Sequence, residues 1–455
     1  MNSVFPIASI ILTLFYLVKI GKMGSNDDEV IKWLFAFHLC VTLSVSTGFY
    51  VHIGSFELSY SEFTLIVLAL YIVLHHKMWL SSTDNLLLII VVLGWIITAI
   101  IPPDVRSVPT GIYWSNLTAV TPSFRVSDLR YLLRLFIFVI VLNSLSGSVN
   151  EADRSYLAKT MFRVECILLL CIAFEYVTKA VGNPVFESLK RSILGYTETQ
   201  NWENPDIFLR GGTSGLLGFC YEPSNLSFCQ FVFGYVLMKQ GQIENNRKYI
   251  LAGIGSIIVM LASTSFSGVL FASVLIVVLI ENSGTNKVVS FFMLVLFVIG
   301  ALVFRTLYNS GSSGIELFQY FNERFIKAFN TFNSYNGTYR SSEEIRIAAS
   351  IESIRVFLAR PLFGVGIGSN YCYATLPLAL ANLGLIGTVV WIKTIRNKML
   401  MYRFRLLDII MIAVVLSFIG NIGMLYNFAI PLLLFMSVKV PITEGAEYSA
   451  WNSDS

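Results

Sequence analysis

The sequence predicts an all-α, polytopic integral membrane protein of about twelve or thirteen spans, and three observations carry that reading. The 455-residue chain is 55% hydrophobic and 13% charged, with a mean hydropathy of +0.69, which excludes an ordinary soluble enzyme. Apolar runs of about 17–25 residues recur along the whole chain, each long enough to cross ~30 Å of hydrocarbon. Hydrocarbon supplies no water to backbone groups, so runs of this kind must be helical.

In chain order the spans are expected at 4–20, 31–53, 59–76, 86–102, 129–145, 160–182, 223–239, 248–264, 268–281, 288–306, 376–393 and 406–424. A last short stretch, 428–440, is open to a re-entrant reading. The run 4–20 has no basic flank before it and no small-residue cleavage site, so it reads as a retained first span. Basic residues of the short loops set the orientation. With the N-terminus outside, the inner loops collect Lys19, Lys22, Lys32, Lys77, Arg154, Lys159, Arg163, Lys239, Arg247, Lys248, Lys287, Lys393, Arg396, Lys398, Arg403 and Arg405. The whole chain, 1–455, then reads as one integral domain with outer polar segments at 103–128, 183–212 and 307–375.

The net charge of +4 says little, because the placement of charge matters more than its sum. The six cysteines are scattered, mostly within spans, and lack metal-ligand spacing. The histidines, His38, His52, His75 and His76, form no zinc-protease pair. No metal, no other cofactor and no nucleic-acid partner is expected. The two long polar segments downstream of the sixth span have no counterpart in the first half, which weighs against the internal repeats of many transporters.

The segment 307–375 is the most informative part of the chain. It keeps Arg324, Lys327, Arg340, Arg346, Arg355 and Arg360 on the side where few cations are expected, which points to an anionic ligand. Within it Ser341 and Glu344 fit a capping box. Ile347, Ile351, Ile354 and Leu358 then form an apolar stripe at helical spacing, and Pro361 ends the helix. Gly364, Gly366 and Gly368 follow as a turn leading to the next span; no strand precedes them, so this is not a dinucleotide fingerprint.

A second constellation runs from Arg210 through Gly218, Phe219, Cys220, Tyr221, Glu222 and Pro223. Pro223 suits a first helical position and Glu222 the positive end of the helix dipole. Glu222 has two readings, a partly desolvated proton acceptor or an acidic helix cap. A third feature is charge inside spans: Arg130 and Arg134, with Asp128 nearby, and Glu175, a candidate partner of Arg134. Finally, Ser263-Thr264-Ser265-Phe266-Ser267-Gly268 interrupts two spans. Its hydroxyls either satisfy helix ends or line a sugar site.

Between Arg210 and Trp391 these residues resemble the O-antigen polymerase (Wzy-type) and O-antigen ligase group of bacterial envelope proteins. The resemblance rests on the segment from Arg210 to Ser224, the Ser263–Gly268 turn and Arg346 fifteen residues before Pro361. It also includes the glycine turn and the run Leu383-Gly384-Leu385-Ile386-Gly387. The chain departs from the pattern at Phe266, where members often carry arginine, and at Asn382, where an acidic residue is common. It has no histidine near 374–377, which favours polymerase over ligase.

The resemblance implies a metal-independent, inverting glycosyltransferase of the GT-C type in a bacterial inner membrane. Its substrates would be undecaprenyl-diphosphate-linked oligosaccharides, and its protein partners a chain-length regulator and a flippase. Arg210, Glu222, Arg346 and Arg355 are the expected catalytic set; Arg340, Arg360, Arg134 and Ser265 are expected to bind substrate. The Arg210–Glu222 segment is expected to face the 307–375 region across a lipid-accessible cavity. The alternatives are an O-antigen ligase and a flippase or transporter of lipid-linked sugars.

Overall fold

The computed structural model describes residues 18–19, 21, 27–44, 50–53, 56–75, 80–105, 121–124, 128–145, 149–183, 185–186, 188–189, 209–210, 213–214, 216–220, 223–263, 266–281, 342–370, 372, 374–399, 402–403, 432 and 438–439. In chain order the first elements are α1 (Asp27–Ser44), β1 (Tyr50–Ile53), β2 (Phe56–Ser59), α2 (Tyr60–His75), α3 (Ser82–Ile100), α4 (Leu129–Leu145) and α5 (Glu151–Ala180). There follow β3 (Leu209–Arg210), β4 (Thr213–Ser214), α6 (Pro223–Ile243), α7 (Arg247–Ala262), α8 (Phe266–Glu281), α9 (Ser342–Ala359), α10 (Thr375–Met399), β5 (Tyr402–Arg403) and β6 (Val438–Lys439). Among the described residues the packed elements are helices, and the extended pieces are three short antiparallel pairs.

Helix limits follow from local chemistry as well as hydropathy. Ser81 caps α3: its hydroxyl accepts from Asp84 N–H, and the Asp84 carboxylate accepts from Ser81 N–H in return. Asn150 and Asp153 do the same for α5, which therefore starts well before the apolar stretch at 160–182. The expected helix over 31–53 is corrected: α1 ends at Ser44, and Tyr50–Ile53 pairs with Phe56–Ser59. Two residues, Gly54 and Ser55, join these β-prone runs, which is hairpin chemistry. At the end of the stretch 428–440, left open between a span and a re-entrant segment, Val438 and Lys439 pair with Arg403 and Tyr402. The spans 288–306 and 406–424, and most of 4–20, lie outside the described residues.

The chain divides into two compact units, Met1–Met78 with Asn150–Glu352, and Trp79–Val149 with Ser353–Ser455. In the first, α6 is the central helix, packed by α1, α5, α7 and α8. It is buried nearly all round, from Leu226 to Gln240, as expected of a helix without a polar face. In the second, α3 packs against α10 and α4, and its core gathers Leu87, Val91, Trp95, Tyr131, Leu135, Phe138, Leu378 and Leu383.

Among the described residues two helices are long and apolar enough to cross a membrane, Ser82–Ile100 and Thr375–Lys398. Several helices also turn large apolar side chains outward. Ile89 and Ile96 on α3 are 55% and 48% exposed, and Ile167 and Leu170 on α5 are 61% and 72% exposed.

Candidate functional site

Two sequence motifs meet in the first unit. Pro223 begins α6, as its fixed φ and missing N–H suit it to do. One turn later Ser227, fully buried, lies 2.8 Å from Ser263 across their hydroxyls. Ser263 Oγ also donates to the Met260 carbonyl at 2.7 Å. The turn sits this close because position 268 has no side chain. A Cβ there would lie 2.4 Å from the Met260 carbonyl oxygen and 2.8 Å from Ser227 Oγ.

The turn before α6 is held by a carboxylate. Glu175, fully buried near the end of α5, accepts from Gly218 N–H at 2.7 Å through Oε2. Its Oε1 accepts from Leu217 N–H at 3.0 Å and from Lys179 Nζ at 2.6 Å. Charge-assisted bonds to main-chain donors are strong and directional, so Glu175 fixes the backbone that leads to Glu222. In the second unit Arg134 lies over the Tyr131 ring, 5.6 Å from its centroid, while Arg130 donates to the Tyr131 hydroxyl at 2.8 Å.

Sequence reading missed Glu165. It is fully buried between α5, α6 and α7, accepting from Ser256 Oγ at 2.8 Å and from Gln230 Nε2 at 3.3 Å. The signal was present, since a carboxylate within an apolar span demands a partner. Its partners lie 65 and 91 residues downstream, which no local pattern shows.

In the second unit the glycine turn is built around a break in α10. Gly384 has φ 64° and ψ −173°, a conformation open to glycine alone. The break removes intrahelical partners, and the segment after Arg360 replaces them. Leu385 N–H donates to the Pro361 carbonyl at 2.7 Å and Ile386 N–H to Leu362 at 3.2 Å. In return Val365 N–H donates to Ala381 at 3.0 Å and Gly366 N–H to Asn382 at 2.9 Å. A Cβ on Gly384 would lie 2.4 Å from the Leu362 carbonyl, and one on Gly364 2.5 Å from the Asn382 backbone.

Side chains lock this knot. Asn382 Oδ1 accepts from Asn370 N–H at 3.1 Å, and its Nδ2 donates to the Asn370 carbonyl at 3.2 Å. That double grip needs an amide, because a carboxylate only accepts. Asn370 Nδ2 donates to Ser353 Oγ at 2.8 Å, and Trp95 Nε1 to the Ile367 carbonyl at 2.9 Å.

Of the expected site residues, three have described side chains, all in the second unit. Arg360, half-buried, donates to the Ile101 carbonyl. Arg355 is exposed on α9, and Arg134 is half-buried on α4. Arg210 pairs with Thr213 through the β3–β4 backbone, and Arg346 lies in α9; the side chains of both fall outside the described residues. Arg340, Glu222 and Ser265 fall outside them entirely. On α9 the expected stripe faces outward at Ile354 and Leu358, 45% and 68% exposed, while Ala348, Ala349, Ser353 and Val356 are buried. Between α3 and α4 an apolar groove of about 510 Å³ is lined by Leu88, Val92, Leu129, Leu133 and Phe136, among others.

Among the described residues, no group of three or more His, Cys, Asp and Glu side chains is placed to hold a metal ion. No protein-family model matches the chain, and neither a curated protein nor a solved structure does.

Proposed function

We propose that this chain is a polytopic protein of a bacterial inner membrane that polymerises lipid-linked oligosaccharide repeat units on the outer face. The growing glycan is transferred from its undecaprenyl diphosphate onto the non-reducing end of an incoming lipid-linked unit. The observation that carries the reading is the meeting of the helix start at Pro223 with the Ser263–Gly268 turn. These are two segments of the polymerase and ligase resemblance, joined at the Ser227–Ser263 hydroxyl pair.

Further support for the membrane part comes from within each unit. Lys32 and Asp153 pair at 2.7 Å near the starts of α1 and α5, both inner ends in the sequence topology. Asp84, Asn143 and Lys398 likewise bring together the inner ends of α3, α4 and α10. Outward isoleucines and leucines suit lipid. The groove beside Leu129 and Leu133 suits an isoprenoid tail, on the same helix as Arg134.

In the reaction, a sugar hydroxyl of the incoming unit attacks the anomeric carbon of the growing chain. The bond to the diphosphate oxygen breaks with inversion, and undecaprenyl diphosphate leaves. Negative charge grows on the departing diphosphate, and fixed cations there lower the barrier. Arginine suits that task through its planar fork of donors, and Arg210, Arg346 and Arg355 take it, with Arg340 and Arg360 on the flanking sugars or phosphates. Glu222 accepts the hydroxyl proton, a contribution of typically ~10²–10⁴-fold. Ser265 adds a sugar contact.

The test is genetic. Arg210→Ala and Arg346→Ala, each expressed at the wild-type level, abolish long-chain polymer; normal polymer in both variants rejects this assignment. Deletion leaves lipopolysaccharide bearing a single repeat unit, whereas lipopolysaccharide with no attached unit identifies a ligase instead.

A further inference from the structure

The thiols of Cys220 and Cys229 touch, with their sulfurs 4.0 Å apart. Neither is bonded in a disulfide, and both are buried, at 2% and 4% exposure. Cys220 closes the turn before α6, where its N–H donates to the Leu217 carbonyl at 2.9 Å. Leu217 and Gly218 are themselves bound to the Glu175 carboxylate. Cys229 lies six residues into α6, about 9 Å along it. The two sulfurs therefore come from segments that are each fixed by other contacts. A disulfide requires a sulfur separation of about 2.05 Å, so forming it draws the sulfurs about 2 Å closer than they stand.

We propose that Cys220 and Cys229 are a redox pair whose disulfide ties the 216–220 turn to the second turn of α6 and so fixes the backbone that leads on to Glu222. The oxidant is an external disulfide. One thiolate attacks it and releases a thiol; the second thiolate attacks the mixed disulfide and releases the other. The protein gives up two electrons and two protons, and the external disulfide becomes two thiols. Because the sulfurs are buried, exchange passes through local opening of the 216–220 turn. That the bond forms in the cell rests on the proposed outer-face position of this turn, since disulfides persist in oxidising compartments. The consequence is a helix start held covalently when oxidised and by hydrogen bonds, those of Glu175 among them, when reduced.

The test uses the purified full chain in detergent, held for hours in glutathione disulfide or in dithiothreitol, alkylated, digested and analysed by mass spectrometry. The oxidised sample is expected to yield a peptide pair joined through Cys220 and Cys229, two hydrogens lighter than the separate peptides. Cys220→Ser and Cys229→Ser each remove it. The oxidised wild type also melts higher than the reduced, a shift absent from both variants. Alkylation of both cysteines after oxidation, or linkage of either to another cysteine, overturns the pair. A parallel sample is quenched in acid directly from cells, then denatured and alkylated at neutral pH. A link that forms in detergent but is absent from cells leaves the pair standing and overturns the outer-face position instead.

Discussion

The turn before α6 and the turn before α10 are both glycine-rich and both lead into a helix, yet they are held by different chemistry. The first is positioned by side chains: the Glu175 carboxylate on two N–H groups and the Ser227–Ser263 hydroxyl pair. The second is positioned mainly by backbone, through four main-chain bonds across the break at Gly384. A site positioned by side chains can be loosened by degrees. One positioned by interlocked main chain tolerates little, because each bond requires the others to be in register. The first turn adjoins the proposed base and the second adjoins Arg360, so each kind of hold serves a different part of the proposed chemistry.

Substitutions separate the two regions, and the largest effect is expected in the second. Gly384→Val places side-chain atoms where the Leu362 carbonyl lies and forces a backbone conformation closed to valine. Strain and overpacking together cost roughly 2–6 kcal/mol, and the expected outcome is loss of monodisperse protein in detergent, read by size exclusion. Glu175→Ala orphans two main-chain donors at about 1–3 kcal/mol for a fully buried one. It should lower the melting temperature while leaving folded protein that makes little polymer. Ser263→Ala removes two hydrogen bonds at about 1 kcal/mol each, with partial loss of polymer length on gels. The smallest stability effect belongs to Arg355→Ala, within about 0.5 kcal/mol at an exposed position. Its polymer yield should nonetheless fall, and equal yield at equal stability would remove Arg355 from the site.

How far the sequence could be read differs between the same two regions. Helices at Tyr60–His75, Leu129–Leu145 and Phe266–Glu281 lie within a few residues of their apolar runs, because hydropathy sets both. Pro223 marked the start of α6 because its constraint is local. The knot at Gly384 was not legible. The run Leu383–Gly387 was visible, but the bonds that make a break tolerable come from residues about twenty positions upstream. Glu175 stands out in the sequence as a charge in an apolar span, yet its main-chain partners, 42 and 43 residues on, leave no side-chain signature. The outward stripe on α9 shows another limit. Helical spacing identifies a face but not what covers it, and here the small residues Ala348, Ala349 and Ser353 turn inward.

The most direct measurement is polymerisation in vitro by the purified chain, given a synthetic undecaprenyl-diphosphate repeat unit in detergent, with and without a chelator. The account predicts a ladder of lengthened lipid-linked products in both conditions, lost in Arg210→Ala and Arg346→Ala. Folded protein that leaves the repeat unit unchanged, or a ladder that survives both substitutions, would contradict it.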